Sequence, residues 1–428
     1  MEYRVSVIAD DLTGANDCGI KLAQNGFETK VILNEGNADI TDNSSYVFNS
    51  NSRAMNKNKS YEINKKIAQK IKNNDFDLIY KKIDSTLRGH IISEIEAVNE
   101  VLNFDLIIIA PAFPEMNRTT KNGKHFVHKQ LIADTGFKND PIFPIYDSEI
   151  KTLLNANHNI EVNNLYLENI RDEKAFDDKI GYIKQNTIKY IISDIEEEND
   201  FKLLINNIKK NFKKVLWVGS AGLIKHLTPE KSELNHNHSS PNSSQTITIS
   251  SSMSDISISQ IKQATNNSVE TIGLGINVYE LVKRYNENYY LDYVNIGINH
   301  LKKYKHLIIY AENDEISNQD LNDYIENHNI SSDDVSKIIV KSVTNIFIEI
   351  FKNIKCDSII LIGGDTANEV LTQLKINSLK LLGEIEEGVP YSSTNSYNGK
   401  INIVTKAGAF GNQNTILNTI NYLEGEII

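Results

Sequence analysis

The chain has 428 residues, 40% of them hydrophobic and 24% charged, with a mean hydropathy of −0.36 and a net charge of −11. That is the balance of a globular protein of two or three domains, and its negative charge gives a nucleic-acid partner no electrostatic support. No apolar run approaches the roughly 18 residues of a membrane span, and the first residues run straight into a strand pattern with no secretory leader, so a soluble cytoplasmic protein is expected. Two cysteines, Cys18 and Cys356, are too few for a disulfide framework or a zinc site; both lie in apolar segments and read as buried thiols.

Residues 4–9 form a short apolar run that predicts a buried strand, and residues 15–25 carry helical spacing that stops at Gly26. Between them stands IADDLTGAND, residues 8–17, which places Asp10, Asp11, Thr13 and Gly14 on a strand-to-helix turn. In an open α/β sheet such turns lie at the carboxyl edge, where ligands bind. Adjacent carboxylates there suit binding of a hydroxyl or metal, or abstraction of a proton. The plainer reading is an Asp helix cap beside a solvated Asp.

Strands are predicted over 30–33, 46–48, 78–83 and 106–110, and helices over 57–72 and 91–102. This alternation predicts a parallel sheet flanked by helices. Residues 111–144 are rich in turn residues and weakly periodic, a length of loop that is usually functional. Alternation resumes with strands at 190–193 and 215–218 and a helix at 201–212. Residues 228–245, TPEKSELNHNHSSPNSSQ, have a linker's composition, and His236 and His238 read as solvated linker residues. Beyond it, strands are predicted at 246–250, 270–274, 306–310, 358–362 and 401–404, and helices at 260–265, 320–327, 335–351 and 368–374. The expectation is two α/β domains, 1–227 and 246–428, joined by 228–245, with an active-site cleft between them.

Several stretches carry chemistry. YKKIDSTLRGH, residues 80–90, gathers Lys82, Asp84, Ser85, Thr86 and Arg88 at a strand end. Arg offers a bidentate fork for a carboxylate and Lys a point charge, the cations that an anionic substrate needs. Taken alone, the stretch also reads as a charged, capped turn. NSNSR, residues 49–53, follows the strand at 46–48 and brings Arg53, otherwise a surface ion-pair residue. APAFPEMNRTTKNG, residues 110–123, offers Arg118 and Asn122 for binding, or a β-hairpin turning at Asn122 and Gly123. GSAGL, residues 219–223, suits either an anion or a packed helix start. In the second half, SSSMS at 250–254, IGGDT at 362–366 and KAGAFG at 406–411 are three strand-to-helix turns able to cradle phosphate. Other fingerprints fail: Gly14 and Gly19 have Walker A spacing but Ile20 follows, and Gly273-Leu-Gly275 lacks a third glycine.

These motifs, in this order, resemble the four-carbon acid sugar kinase family over nearly the whole chain. IADDLTGAND is similar to its opening motif, and residues 82–89 match its Lys-Ile-Asp-Ser-Thr-x-Arg-Gly motif throughout. Asn49 and Ser50 stand where the family has Asp-Thr, and Ser251 where it has glycine. The resemblance implies ATP and Mg²⁺ on the second domain and a sugar acid such as threonate, erythronate or a 3-oxo-tetronate on the first, with the terminal 4-hydroxyl phosphorylated. It implies Asp10, Arg53, Lys82, Ile83, Asp84, Ser85 and Arg88 as substrate-binding residues, and Asp11 or Asp84 as the base. Ser252, Ser254, Gly363, Gly364, Asp365, Thr366 and Gly408 would bind nucleotide. The alternatives are a binding protein without turnover and a kinase of another small hydroxy acid. Substrate stereochemistry, oxidation at C3 and oligomeric state have no signature in these residues.

Overall fold

The computed structural model describes residues 3–34, 40, 42–140, 142–155, 160–229, 241, 243–285, 290–312, 315–396 and 399–426. It divides into two compact units, Met1–Leu234 and Asn235–Ile428. Most of the stretch expected as a linker, with His236 and His238, lies outside the described residues.

The first unit holds strands β1 (Val5–Ala9), β2 (Thr29–Ile32), β3 (Ser45–Asn49), β4 (Leu78–Lys82), β5 (Leu106–Ala110), β6 (Arg118–Lys121), β7 (Lys124–Val127), β8 (Gln130–Leu131), β9 (Val162–Leu165), β10 (Tyr190–Ser193) and β11 (Val215–Gly219). Eight of them form a sheet in the order β2-β3-β1-β4-β11-β5-β10-β9, every neighbouring pair parallel. β1, β3 and β5 are buried at every position, as strands covered on both faces must be. Pairing sets Asn49, Ala9, Lys82, Gly219 and Ala110 level on adjacent strands, so the loops that follow leave from one edge.

Helices Lys57–Lys72 and Ile91–Leu102 begin and end where their apolar period does. The first helix differs from expectation. It spans Leu12–Gln24, because Asp11 caps it and accepts the Gly14 amide at 2.9 Å; Thr13 and Gly14 therefore lie in its first turn. Residues 111–144 are not structureless either: β6, β7 and β8 form a small antiparallel sheet there. Its tip has φ 53° at Asn122 and 72° at Gly123, the paired positive values of a type I′ hairpin. β9, VNNL, escaped the sequence reading because polar residues sit in its middle.

The second unit holds β12 (Thr246–Ser250), β13 (Thr271–Asn277), β14 (His306–Glu312), β15 (Ser358–Ile362), β16 (Ser378–Glu384), β17 (Pro390–Ser396) and β18 (Gly399–Lys406), in the order β13-β14-β12-β15-β18-β17-β16. Pairs among β12, β13, β14, β15 and β18 are parallel, while β17 runs antiparallel to β16 and β18. Ser250, Ile362 and Lys406 are level on adjacent strands. Helices Asp255–Asn267 and Thr415–Glu424 bring Ile261, Ala264, Ile416 and Ile420 onto the apolar side chains of β14, β15 and β18. Among the described residues, no helix is long and apolar enough to cross a membrane.

Candidate functional site

In the first unit, the loops after β1, β3 and β4 bring their charged residues together. Asp10, 2% exposed, takes the Arg53 fork through Nε at 2.8 Å and Nη2 at 3.1 Å. Arg53 Nη1 reaches Asp11 Oδ2 at 2.8 Å, so one guanidinium joins both carboxylates. Asp11 therefore does two things at once: one oxygen caps the helix and the other faces Arg53. Lys82 Nζ donates to the Ile83 carbonyl at 3.0 Å. It lies where a Cβ on Gly14 would come within 2.5 Å, so glycine at this position leaves room for the ammonium. Ile83 itself is a core residue whose amide donates to the Gly219 carbonyl at 2.9 Å and whose carbonyl takes Lys82.

The loop after β4 is drawn tight. Asp84 Oδ2 accepts Arg88 Nε at 2.6 Å and the Thr86 hydroxyl. Arg88 also donates to Asp140 at 3.1 Å and lies over the Phe137 ring at 5.5 Å. Buried Leu87 holds φ 65°, a strained value for a bulky side chain, and Gly89 supplies φ 107°. Arg118 Nη1 meets the Ser85 hydroxyl, and His125 Nε2 bonds the Ser85 carbonyl at 2.7 Å.

The two candidate bases are electrostatically opposite. Burial and the Asp10 charge push the Asp11 carboxyl above the usual range, against Arg53, Lys82 and the Gly14 amide. Burial also penalises the Asp84 carboxylate, but Arg53, Arg88 and Thr86 outweigh it and hold that carboxyl well below the usual range. Burial lowers the Lys82 ammonium, while Cys18, Asp10, Asp11 and Asp17 bring it above an ordinary lysine. His125, fully buried, is pulled down to about 4 by burial. Cys18 and Cys356 are free and buried, and burial lifts both thiols to about 12.

Behind the site, Lys81 points away from its neighbour Lys82. Its ammonium pairs with Glu94 at 2.7 Å, and Glu94 also accepts the Ser52 and Ser60 hydroxyls at 2.6 and 2.8 Å. Ser50 donates to the Ala9 carbonyl at 2.7 Å, and the Asn51 amide donates to the Asn49 side chain at 3.1 Å. Asn49 and Ser50 thus shape the turn that carries Arg53. Asn122 sits at the hairpin tip, its amide on Asp194 at 2.7 Å, so the hairpin reading accounts for it. GSAGL is a packed helix start: Ser220 caps it, and a Cβ on Gly222 would meet Phe113 at 3.0 Å.

In the second unit the three turns interlock. The Ser251 amide donates to Thr366 Oγ1 at 3.3 Å, Gly363 N to the Lys406 carbonyl at 2.8 Å, and Ser257 Oγ to the Gly408 carbonyl at 2.6 Å. Ser254 caps helix Asp255–Asn267, with Ser252 Oγ 3.2 Å from its hydroxyl. Gly363, at φ 97°, caps helix Gly364–Gln373, whose first turn carries Asp365 and Thr366. A Cβ on Gly408 would lie 2.7 Å from Ser252 Oγ. Ser251 Oγ is buried with no partner among the described residues. Burial lowers the Lys406 ammonium to about 8. An orphan hydroxyl, two helix starts and glycine-lined turns at one sheet edge fit a phosphate-bearing ligand.

Two family models cover the chain: a sugar-binding N-terminal domain over residues 5–227 and a nucleotide-binding C-terminal domain over 247–416. The chain belongs to the four-carbon acid sugar kinase family. It is accordingly an enzyme of the kinase class. It is 26% identical to the D-threonate kinase of Salmonella typhimurium across 98% of both chains, and 24% identical to the 3-oxo-tetronate kinase of Haemophilus influenzae across 96% of this chain and 97% of the other. A D-erythronate kinase of Heliobacterium modesticaldum is 29% identical over 46% of each chain. A solved Haemophilus influenzae protein shares the fold with a TM-score of 0.78 at 22% identity, covering 98% of this chain and 100% of its own.

Asp140, which the sequence places in the second part of the 110–123 loop motif, is the second anchor of Arg88. Two features around the candidate sites have no sequence signature: Lys81 and Glu94 form a buried pair, and Lys406 lies beneath its loop. Each depends on a contact between segments far apart in sequence or on the direction of a side chain, neither of which has a local signal.

Proposed function

We propose that the chain transfers the γ-phosphoryl group of ATP to the terminal hydroxyl of a four-carbon sugar acid such as threonate, erythronate or a 3-oxo-tetronate, giving the 4-phosphate. Residues 1–227 would bind the acid and 246–428 the nucleotide, with 228–245 as linker. The observation that carries this reading is the cluster at the first unit's sheet edge. Arg53, Lys82, Arg88 and Arg118 supply cations for a carboxylate, among Asp10, Asp11 and Asp84, which can accept hydrogen bonds from a polyol.

Asp11 is the better base. Its raised affinity for protons suits it to take the hydroxyl proton, whereas Asp84 is held ionised and tied to Arg88 and Thr86. Arg53 orients Asp10 and Asp11 together, and Asp84 fixes Arg88 towards the substrate's negative charge. On the second unit, Ser252, Ser254, Gly363, Gly364, Thr366 and Gly408 would hold the phosphates, with Asp365 the nearby carboxylate for Mg²⁺. ATP supplies the phosphoryl group, and its metal screens the phosphate charge. Dependence on ATP agrees with a cytoplasmic location.

The test is ADP release with D-threonate, L-threonate, D-erythronate and the 3-oxo acids, with the product's phosphate position read by NMR. ATP consumption that requires one of these acids and yields a 4-phosphate is expected. Binding of both ligands without turnover would favour a binding protein, and turnover with a different hydroxy acid would move the substrate class.

A further inference from the structure

Lys406 ends β18 and turns its side chain back under the loop it begins. Its Nζ donates to the carbonyls of Ala407 at 2.8 Å, Gly408 at 3.0 Å and Phe410 at 2.9 Å. An ammonium has three N–H donors, so this loop fills its capacity. The residue is 4% exposed, and among the described residues no carboxylate lies within ion-pair distance. Two further side chains draw the same stretch inward: Ser257 Oγ donates to Gly408 O at 2.6 Å, and Gln260 Nε2 donates to Phe410 O at 3.0 Å and Asn412 O at 2.7 Å. A loop whose carbonyls are gathered on one side presents its amides on the other. Among the described residues, the amides of Gly408, Ala409 and Gly411 find no acceptor in the protein.

A buried cation compensated only by carbonyl dipoles is costly to hold. An anion on the outer side of the loop would complete it, meeting free amides first and the ammonium's field behind them. We infer that Lys406 is a positioning residue for nucleotide phosphates: it draws the loop carbonyls inward, so that the amides of Gly408, Ala409 and Gly411 form an anion cradle backed by positive charge. The inference rests on the second unit being the nucleotide site. It adds a function for a residue that would otherwise be a structural clamp.

Lys406→Met and the milder Lys406→Gln are compared with Gly408→Val, whose side chain crowds Ser252 directly. Thermal midpoint and affinity for the sugar acid serve as folding controls. The expected result is a rise in KM for ATP of about tenfold or more in Lys406→Met and a smaller rise in Lys406→Gln, with acid affinity and midpoint close to wild type. An ATP KM within about twofold of wild type in both lysine variants, while Gly408→Val loses ATP affinity, overturns the role of Lys406 and leaves the nucleotide site standing. Unchanged ATP affinity in all three variants overturns the nucleotide site itself. Parallel loss of ATP affinity, acid affinity and midpoint in both lysine variants reduces Lys406 to a structural clamp and also overturns the inference.

Discussion

Replacing Asp11 by Asn separates catalysis from architecture, because the structure makes most of its other consequences small. Asn caps a helix about as well as Asp, so helix Leu12–Gln24 keeps the bond now made to the Gly14 amide at 2.9 Å. Arg53 loses one ionic partner but retains Asp10 through two bonds of 2.8 and 3.1 Å, so no buried guanidinium is stranded. Stability should change by less than about 1 kcal/mol and KM for the acid by no more than about threefold. Removing the proton acceptor should cost about 10²- to 10⁴-fold in kcat, or roughly 3–5 kcal/mol of barrier. Asp84→Asn should behave differently. It weakens the hold on Arg88, which keeps Asp140 at 3.1 Å and the Phe137 ring, and should therefore raise KM for the acid more than it lowers kcat. The assay is coupled ADP release with the acid varied at saturating ATP. Wild-type kcat/KM should also fall on an acid limb above the usual carboxylate range, since Asp11 must be ionised to act. That limb should be absent from the residual activity of Asp11→Asn. A kcat for Asp11→Asn within about threefold of wild type, or the large kcat loss appearing in Asp84→Asn instead, would refute the assignment of the base.

Two predictions concern what supports the site. Glu94→Ala leaves the Lys81 ammonium buried without its carboxylate and should cost about 3–5 kcal/mol, a fall of roughly 10 °C in the first unit's melting transition. Adding Lys81→Met should recover part of that loss, and a fall of less than about 3 °C in Glu94→Ala would remove the claim. His125 is held neutral, with its ordinary value of 6.5 lowered to about 4. The unfolded chain then binds more protons across that window, so this contribution is complete above 6.5 and is lost as pH falls towards 4. Urea unfolding should show about 2–3 kcal/mol of acid destabilisation from this group between about pH 7 and 4.5, missing in His125→Gln; equal pH slopes in the two proteins would contradict it.

The local order of this chain is written in its sequence. Apolar period and stop residues place helices Lys57–Lys72 and Ile91–Leu102 and strand β5, because each depends on neighbours within a few residues. The motif residues likewise fall on strand ends that parallel pairing carries to one edge. What adjacency cannot encode is which distant groups meet. Arg53 and Asp10 are 43 residues apart, and Lys406 lies beside Gly363 only because β18 is laid against β15. The neighbouring lysines 81 and 82 look alike in sequence, yet the alternation of β4 sends one into a buried pair with Glu94 and the other to the site. The two aspartates left equivalent by their motifs separate for the same reason. A carboxyl's proton affinity is set by burial and by the charges that reach it, and those are assembled only when the strands stack: Asp11 beside Asp10, Asp84 between Arg53 and Arg88.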